Sequence, residues 1–149
     1  MSRIEETIDI SRSPEEVFAY MMDPAHVPEW QESAVSARKL TDGPLGVGSQ
    51  FAVKRRFGRR EMPTTMQVME YDPPRSWHFH GVDGPVRGDM MGRIEPLDDG
   101  RRSRVTLSLD FESHGIGKVL VPLVVKPQVR KEMPRNEEHL KDLMESGTV

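Results

Sequence analysis

Apolar side chains alternate with polar ones along most of this chain and switch to helical spacing in only two places. From Arg3 to Ser11, Ile4, Glu6, Ile8 and Ile10 share one face and Glu5, Thr7 and Asp9 the other, which predicts a half-buried strand. Ser13-Pro14-Glu15-Glu16 then reads as a helix start, with Ser13 as N-cap, Pro14 at the first helical position and Glu16 completing a capping box. Val17, Phe18, Tyr20, Met21 and Met22 give that short helix its apolar face. Asp23-Pro24 breaks it and caps a second short helix, Ala25 to Pro28, which ends near Trp30.

After Ser33 the pattern becomes a series of strands separated by turn residues. Val35 to Leu40 is followed by a Gly/Pro loop and by Gln50 to Phe57, with Phe51, Val53 and Phe57 on one face. Gly58 marks a hairpin into Glu61 to Tyr71, where Met62, Thr64, Met66 and Val68 share a face. Asp72-Pro73-Pro74-Arg75 turns the chain, and Trp77 and Phe79 then alternate with His78 and His80. Val82-Asp83-Gly84-Pro85 turns it again into Val86 to Pro96, with Gly88, Met90, Gly92 and Ile94 in phase. Asp98-Asp99-Gly100 leads to the clearest alternation in the chain, Val105, Leu107, Leu109 and Phe111. Successive hairpins imply an antiparallel meander.

The last quarter, Gly115 to Glu145, has no counterpart upstream. It is apolar from Val119 to Val125 and then amphipathic, with Met133, Leu140, Leu143 and Met144 at helical spacing. One apolar face per strand requires a cover for one side of the sheet, and only this helix is large enough. Pro122, Pro127 and Pro134 each remove a backbone donor. The segment is expected either to kink or to become helical only after Pro122 or Pro127. The tail from Glu145 to Val149 is expected to fray.

Length and composition narrow the class. At 149 residues the chain is expected to form one domain, 1–149, with room for a core. A net charge of -3 offers no global attraction to nucleic acid or anionic lipid, and no cysteine is present for disulfides or thiolate chemistry. No apolar stretch reaches the ~20 residues that a membrane-spanning helix needs, and no leader-like h-region opens the chain, so a cytoplasmic location is expected. Ten Met stand against five Phe, two Trp and two Tyr. Such flexible side chains serve either plain core packing or an adaptable pocket.

Chemistry-bearing candidates are few. Arg55 shares the phase of Phe51, Val53 and Phe57, so strict alternation places a guanidinium on the apolar face, where it needs a partner. Glu70, in phase with Met66 and Val68, is the candidate, and the pair would present a guanidinium fork to a ligand carbonyl or carboxylate. A bulge near Gly58 turning Arg55 outward is the alternative. His78 and His80 fall opposite Trp77 and Phe79 and so on the outer surface. They also lack a third ligand for a metal. His26 lies near one end of the sheet, His114 reads as a loop residue, and Asp89 is expected to pair with Arg87 or Arg93 across strands. Lys54-Arg55-Arg56 with Arg59-Arg60 forms a basic hairpin, read as solvated rather than as a nucleic-acid or membrane site. Phosphate-binding glycine loops, zinc signatures and hydrolase elbows are all absent from the sequence.

Several of these stretches resemble a known superfamily. Ser13-Pro14-Glu15-Glu16-Val17-Phe18, Asp23-Pro24 and Pro28-Glu29-Trp30 are similar to the opening of the START/birch-pollen-allergen-like proteins, in particular the polyketide cyclase/dehydrase branch. Glu70-Tyr71-Asp72-Pro73-Pro74-Arg75 and Arg104-Val105-Thr106-Leu107 running into Asp110-Phe111 resemble later parts of that pattern. The resemblance spans essentially the whole chain. It implies the α+β helix-grip fold, in which a seven-stranded antiparallel sheet curls around a long C-terminal helix, with two short helices after the first strand. It also implies an apolar cavity between sheet and helix for lipids, sterols, polyketides or similar molecules, in which some members cyclise or dehydrate their substrate.

The expected activity is therefore binding of a hydrophobic small molecule. The lining would be Trp30, Phe51, Val53, Met66, Val68, Trp77, Phe79, Met90, Leu107, Leu109, Leu120 and Val124, with Arg55 as polar anchor. In the enzyme alternative, a polyketide cyclase or dehydratase, Arg55 would stabilise an enolate and Glu70 or His26 would move protons. A further alternative is a protein-interaction module with a vestigial cavity. Neither metal nor cofactor, nucleic-acid partner nor stable membrane insertion is expected, and homodimerisation is left open.

Overall fold

Alternating apolar positions become the inner face of one sheet. The computed structural model describes residues 3–146, so only the first part of the expected frayed tail falls within it. Strand β1 (Ile4–Ile10) is followed by α1 (Pro14–Met21), a single 3-10 turn (Pro24–His26) and α2 (Val27–Trp30). Strands β2 (Ala34–Lys39), β3 (Gln50–Phe57), β4 (Arg60–Asp72), β5 (Ser76–Gly81), β6 (Val86–Leu97) and β7 (Arg102–Ser113) come next. The chain ends in α3 (Gly117–Leu120), a π-helical turn (Val121–Val125) and α4 (Lys126–Glu145). The expected local signals are present. Ser13 and Glu16 form the capping box of α1, and Asp23 accepts from the Ala25 N–H at 3.0 Å.

The seven strands run β1-β7-β6-β5-β4-β3-β2, each pair antiparallel, so the first strand closes one edge beside the last. The concave side carries Phe51, Val53, Phe57, Met66, Val68, Trp77, Phe79, Ile94, Val105 and Leu107, all buried. Trp77 lies directly across from Gly92, and a Cβ at Gly92 would run into the six-membered ring of the indole. Only glycine lets the ring lie flat on the sheet there. Phe18 of α1 meets that indole edge-on at 5.8 Å, closing this end of the sheet.

The helix runs from Gly117 to Glu145 without a break. Its three prolines are exposed, and the π-turn accommodates the first, since Lys126 N–H bonds back to the Val121 carbonyl, one residue further than in an α-helix. Gly117 is obligatory at the start, because a Cβ there would collide with the Pro85 carbonyl. Val121, Val125, Val129, Met133, Leu140 and Met144 turn toward the sheet. Lys141 Nζ donates to the Asp9 carbonyl at 2.7 Å and Arg12 Nε to the Met144 carbonyl at 2.8 Å, which ties the far end of the helix to β1 and its turn.

Candidate functional site

Among the described residues, two small spaces lie between the concave face of the sheet and its covering helices. One, of about 80 Å³, lies toward the β3–β4 hairpin and is bordered by Phe57, Met62, Val86, Leu107, Phe111 and Met133 among others. The second, of about 40 Å³, lies under α1 and α2 against Met21, Val27, Phe51, Val53, Trp77 and Phe79. Trp30, Gln31, Arg55, Met66 and Met90 border both and form the partition between them.

Arg55 points inward, as its phase predicts: β3 pairs regularly with β4, and the irregularity opposite Arg55 lies on β2, between Ala34 and Ser36. Its Nη1 donates to Ser33 Oγ at 3.3 Å, and the Ser33 N–H donates to Glu132 Oε1 at 2.7 Å, so one serine bridges guanidinium and carboxylate. Burial pulls the Arg55 pKa down to about 10, against the attraction of Glu132. The surface that Arg55 retains borders the two spaces. Glu132 is itself buried and held by further donors, Gln128 Nε2 at 3.2 Å and Asn136 Nδ2 at 3.4 Å. Gln128 also accepts from the Gly58 N–H at 2.9 Å and donates to the Arg56 carbonyl at 2.8 Å, while Asn136 accepts from the Glu32 N–H at 2.9 Å. Gln128, Glu132 and Asn136, four residues apart, thus form a polar row that clips the helix to the ends of β2 and β3.

Glu70 is not the partner of Arg55. The β4–β5 register shifts between Val68 and Glu70, so Tyr71 rather than Glu70 lies across from Trp77. That bulge flips the phase and leaves Glu70 exposed opposite His78. His26 also stays outside: its Nδ1 donates to the Tyr20 carbonyl at 2.9 Å and its ring stacks on Tyr20 at 4.3 Å. Of the expected lining, Trp30, Phe51, Val53, Met66, Trp77, Phe79, Met90, Leu107 and Leu109 border the spaces. Val68 is packed solid in the core, and Leu120 and Val124 lie off both spaces, because α3 and the π-turn present Val121 and Val125 inward instead. Sequence reasoning missed apolar neighbours such as Met21, Val27, Met62 and Met133, and the polar residues Ser33, Gln31, Glu132 and Asn136. The last two were detectable as members of the polar row beside Val129 and Met133.

The outer face of the sheet carries its own cluster. Asp89 Oδ1 accepts from His78 Nε2 at 2.6 Å and His80 Nδ1 at 3.0 Å, while Oδ2 pairs with Arg3 Nη1 at 3.0 Å. Burial raises the Asp89 pKa, but hydrogen bonds from His78, His80 and Arg3 outweigh it and hold the carboxylate below its usual range. Arg87 and Arg93, the expected partners, instead bind the Gly84 carbonyl and Glu95. Among the described residues, no group of three or more His, Asp or Glu is arranged to hold a metal ion.

Comparison with known proteins agrees with this architecture. A protein of Thermus thermophilus superposes with a TM-score of 0.79 at 15% identity over 99% of both chains. A START superfamily protein of Mycobacterium smegmatis gives 0.72 at 18% identity, over 98% of this chain and 96% of that one. The Zhui aromatase/cyclase of a Streptomyces species gives 0.72 at 15% identity, over 99% and 98%. At such identities these likenesses speak for the fold. No curated protein sequence matches significantly. The sequence profile of the family described as polyketide cyclase/dehydrase and lipid transport matches residues 1–145, and the chain belongs to that family.

Proposed function

We propose that the chain binds a hydrophobic small molecule, lipid- or polyketide-like and bearing an oxygen acceptor, between the sheet and the C-terminal helix. The observation that carries this reading is Arg55, a guanidinium on an otherwise apolar face that borders both spaces. It has five donors, yet its hydrogen bond among the described residues is the 3.3 Å contact to Ser33. The indole N–H groups of Trp30, which borders both spaces, and of Trp77, which borders the smaller one, are buried without an acceptor among the described residues. A buried donor without an acceptor is costly, so a ligand carbonyl or carboxylate is the natural complement. Ligand pockets typically enclose about 300–1,000 Å³, more than the two spaces together. The partition includes Met66 and Met90, whose thioether chains change rotamer readily, and their displacement would merge the spaces along the apolar face.

The test is uptake of an anilinonaphthalene sulfonate probe, followed by its displacement with a fatty acid and with the alcohol of equal length. Arg55→Met should weaken the acid about tenfold or more, from the loss of a charged hydrogen bond, and leave the alcohol little changed. No uptake of any of these would favour an interaction module with a closed interior.

The aromatase/cyclase names among the structural neighbours and the family description favour a second reading, a cyclase acting in the same place. There Arg55 would hold an enolate, and Glu132, on the border of the larger space, would replace Glu70 as the nearby carboxylate. Incubation with a poly-β-ketone tests it, and a product profile unchanged by Arg55→Ala would dismiss it.

A further inference from the structure

The first turns of the C-terminal helix are apolar on two sides, and the sheet covers only one. Gly117, Val121 and Val125 face inward and are buried. The other stripe runs Ile116, Val119, Leu120, Leu123, Val124 and Pro127, at the three- and four-residue spacing of a single helix face. Its outermost members are strongly exposed: Leu123 72%, Val119 57% and Ile116 49%. Isolated exposed apolar residues mean little, but a contiguous row along one helix marks a surface that something covers.

Charge indicates what covers it. Between Glu112 and Glu132 the chain has no acidic residue but carries Lys118, Lys126, Arg130 and Lys131, of which all except Lys126 are exposed. Arg130 and Lys131 follow Leu123 and Pro127 along the outward side, so the stripe passes from apolar to cationic. The β3–β4 hairpin abuts the same helix. The Gly58 N–H donates to Gln128 Oε1 at 2.9 Å, and a Cβ at Gly58 would lie 3.4 Å from Val124 Cγ1. That hairpin adds exposed Arg59 and Arg60, while the neighbouring Arg56 is paired with Glu61 at 2.6 Å. A chain of net charge -3 thus gathers unbalanced positive charge around one apolar ridge. A second copy packed on this ridge about a two-fold axis would bring the same cations face to face, which repels. An anionic lipid surface has the opposite sign and also offers an apolar layer to receive Leu123 and Val119.

We infer that this helix face and the β3–β4 hairpin dock the protein on the surface of an anionic bilayer, with Ile116, Val119 and Leu123 dipping into the interface. Among the described residues no helix is long and apolar enough to cross a membrane, and the apolar stretch has the length of an interfacial segment. Docking is therefore peripheral, reversible and sensitive to salt. The inference stands independently of whether the interior holds a ligand.

Co-flotation with vesicles of phosphatidylcholine alone, or of phosphatidylcholine mixed with phosphatidylglycerol, tests it. The protein should float with the mixed vesicles at low salt and not with the neutral ones. Arg59→Ser with Arg60→Ser should weaken that binding about thirtyfold, from roughly fivefold per basic residue near an anionic surface. Leu123→Glu should weaken it at least about tenfold. At 72% exposure, Leu123→Glu should melt at the wild-type temperature; should it fail to fold, Val119→Ser provides the same readout. Failure to float with mixed vesicles at low salt would overturn the inference. So would unchanged flotation of Leu123→Glu, or a solution dimer that Leu123→Glu dissociates, which would make the ridge a subunit interface.

Discussion

Glu137 offers the sharpest test of how the C-terminal helix is seated. It is 2% exposed on α4, between Met133 and Leu140, and its Oε2 has no hydrogen-bond partner among the described residues. Burial raises its pKa from the ordinary 4.5 to about 8, and the charge of Glu6 on β1 adds to the rise. The unfolded chain loses this proton near pH 4.5, whereas the folded chain keeps it until about pH 8. Between these values the folded state holds more protons, so stability falls as pH rises and levels off above about 8. At 1.36 kcal/mol per pH unit the full gap would cost about 5 kcal/mol, and water entering beside the ionised group trims this to about 3. Glu137→Gln removes the ionisation. Urea unfolding of both chains at pH 5, 7 and 9 should give nearly equal stabilities at pH 5 and a variant about 3 kcal/mol more stable at pH 9. Parallel stability curves for the two chains would refute the argument, because the carboxyl group would then be ionised and solvated in the native state.

Two further perturbations probe how the interior is assembled. Gly92→Ala forces the Trp77 indole off the sheet and should cost about 2–3 kcal/mol in denaturant unfolding, with a changed tryptophan emission; an unaltered spectrum would show that the ring is not seated there. Glu132→Ala strips the Ser33, Gln128 and Asn136 donors of their acceptor and Arg55 of its counter-charge. It should cost about 3 kcal/mol, with hydrogen exchange accelerated at Ser33, and slow exchange there would contradict the bridge.

Much of this architecture was legible in the chain. Period-two alternation, the Ser13 capping box and the Asp98-Asp99-Gly100 turn are local signals, and local signals survive into the folded state when tertiary packing agrees with them. The inward phase of Arg55 was likewise readable, because no bulge interrupts β3. Glu70 was misplaced by one residue of register. The β4 bulge beyond Val68 is a two-against-one pairing that only the partner strand defines, and one extra residue reverses every later side chain.

What the amino-acid order determined by itself is therefore the set of elements, their polarity and the face of each candidate on a strand without a bulge, since these depend on neighbours within a few positions. The contacts between residues far apart in the chain were decided by the tertiary structure alone. Ser33 meets Glu132 across 99 residues and Gly58 meets Gln128 across 70, contacts set by how the helix lies in the curled sheet. The same placement decided that Val121 and Val125 face inward while Leu123 and Val119 stay in the open. A helix with two apolar stripes offers either one to the sheet. The choice is made by which stripe lets Gly117 fit under Pro85 and the Gln128, Glu132 and Asn136 row reach the ends of β2 and β3.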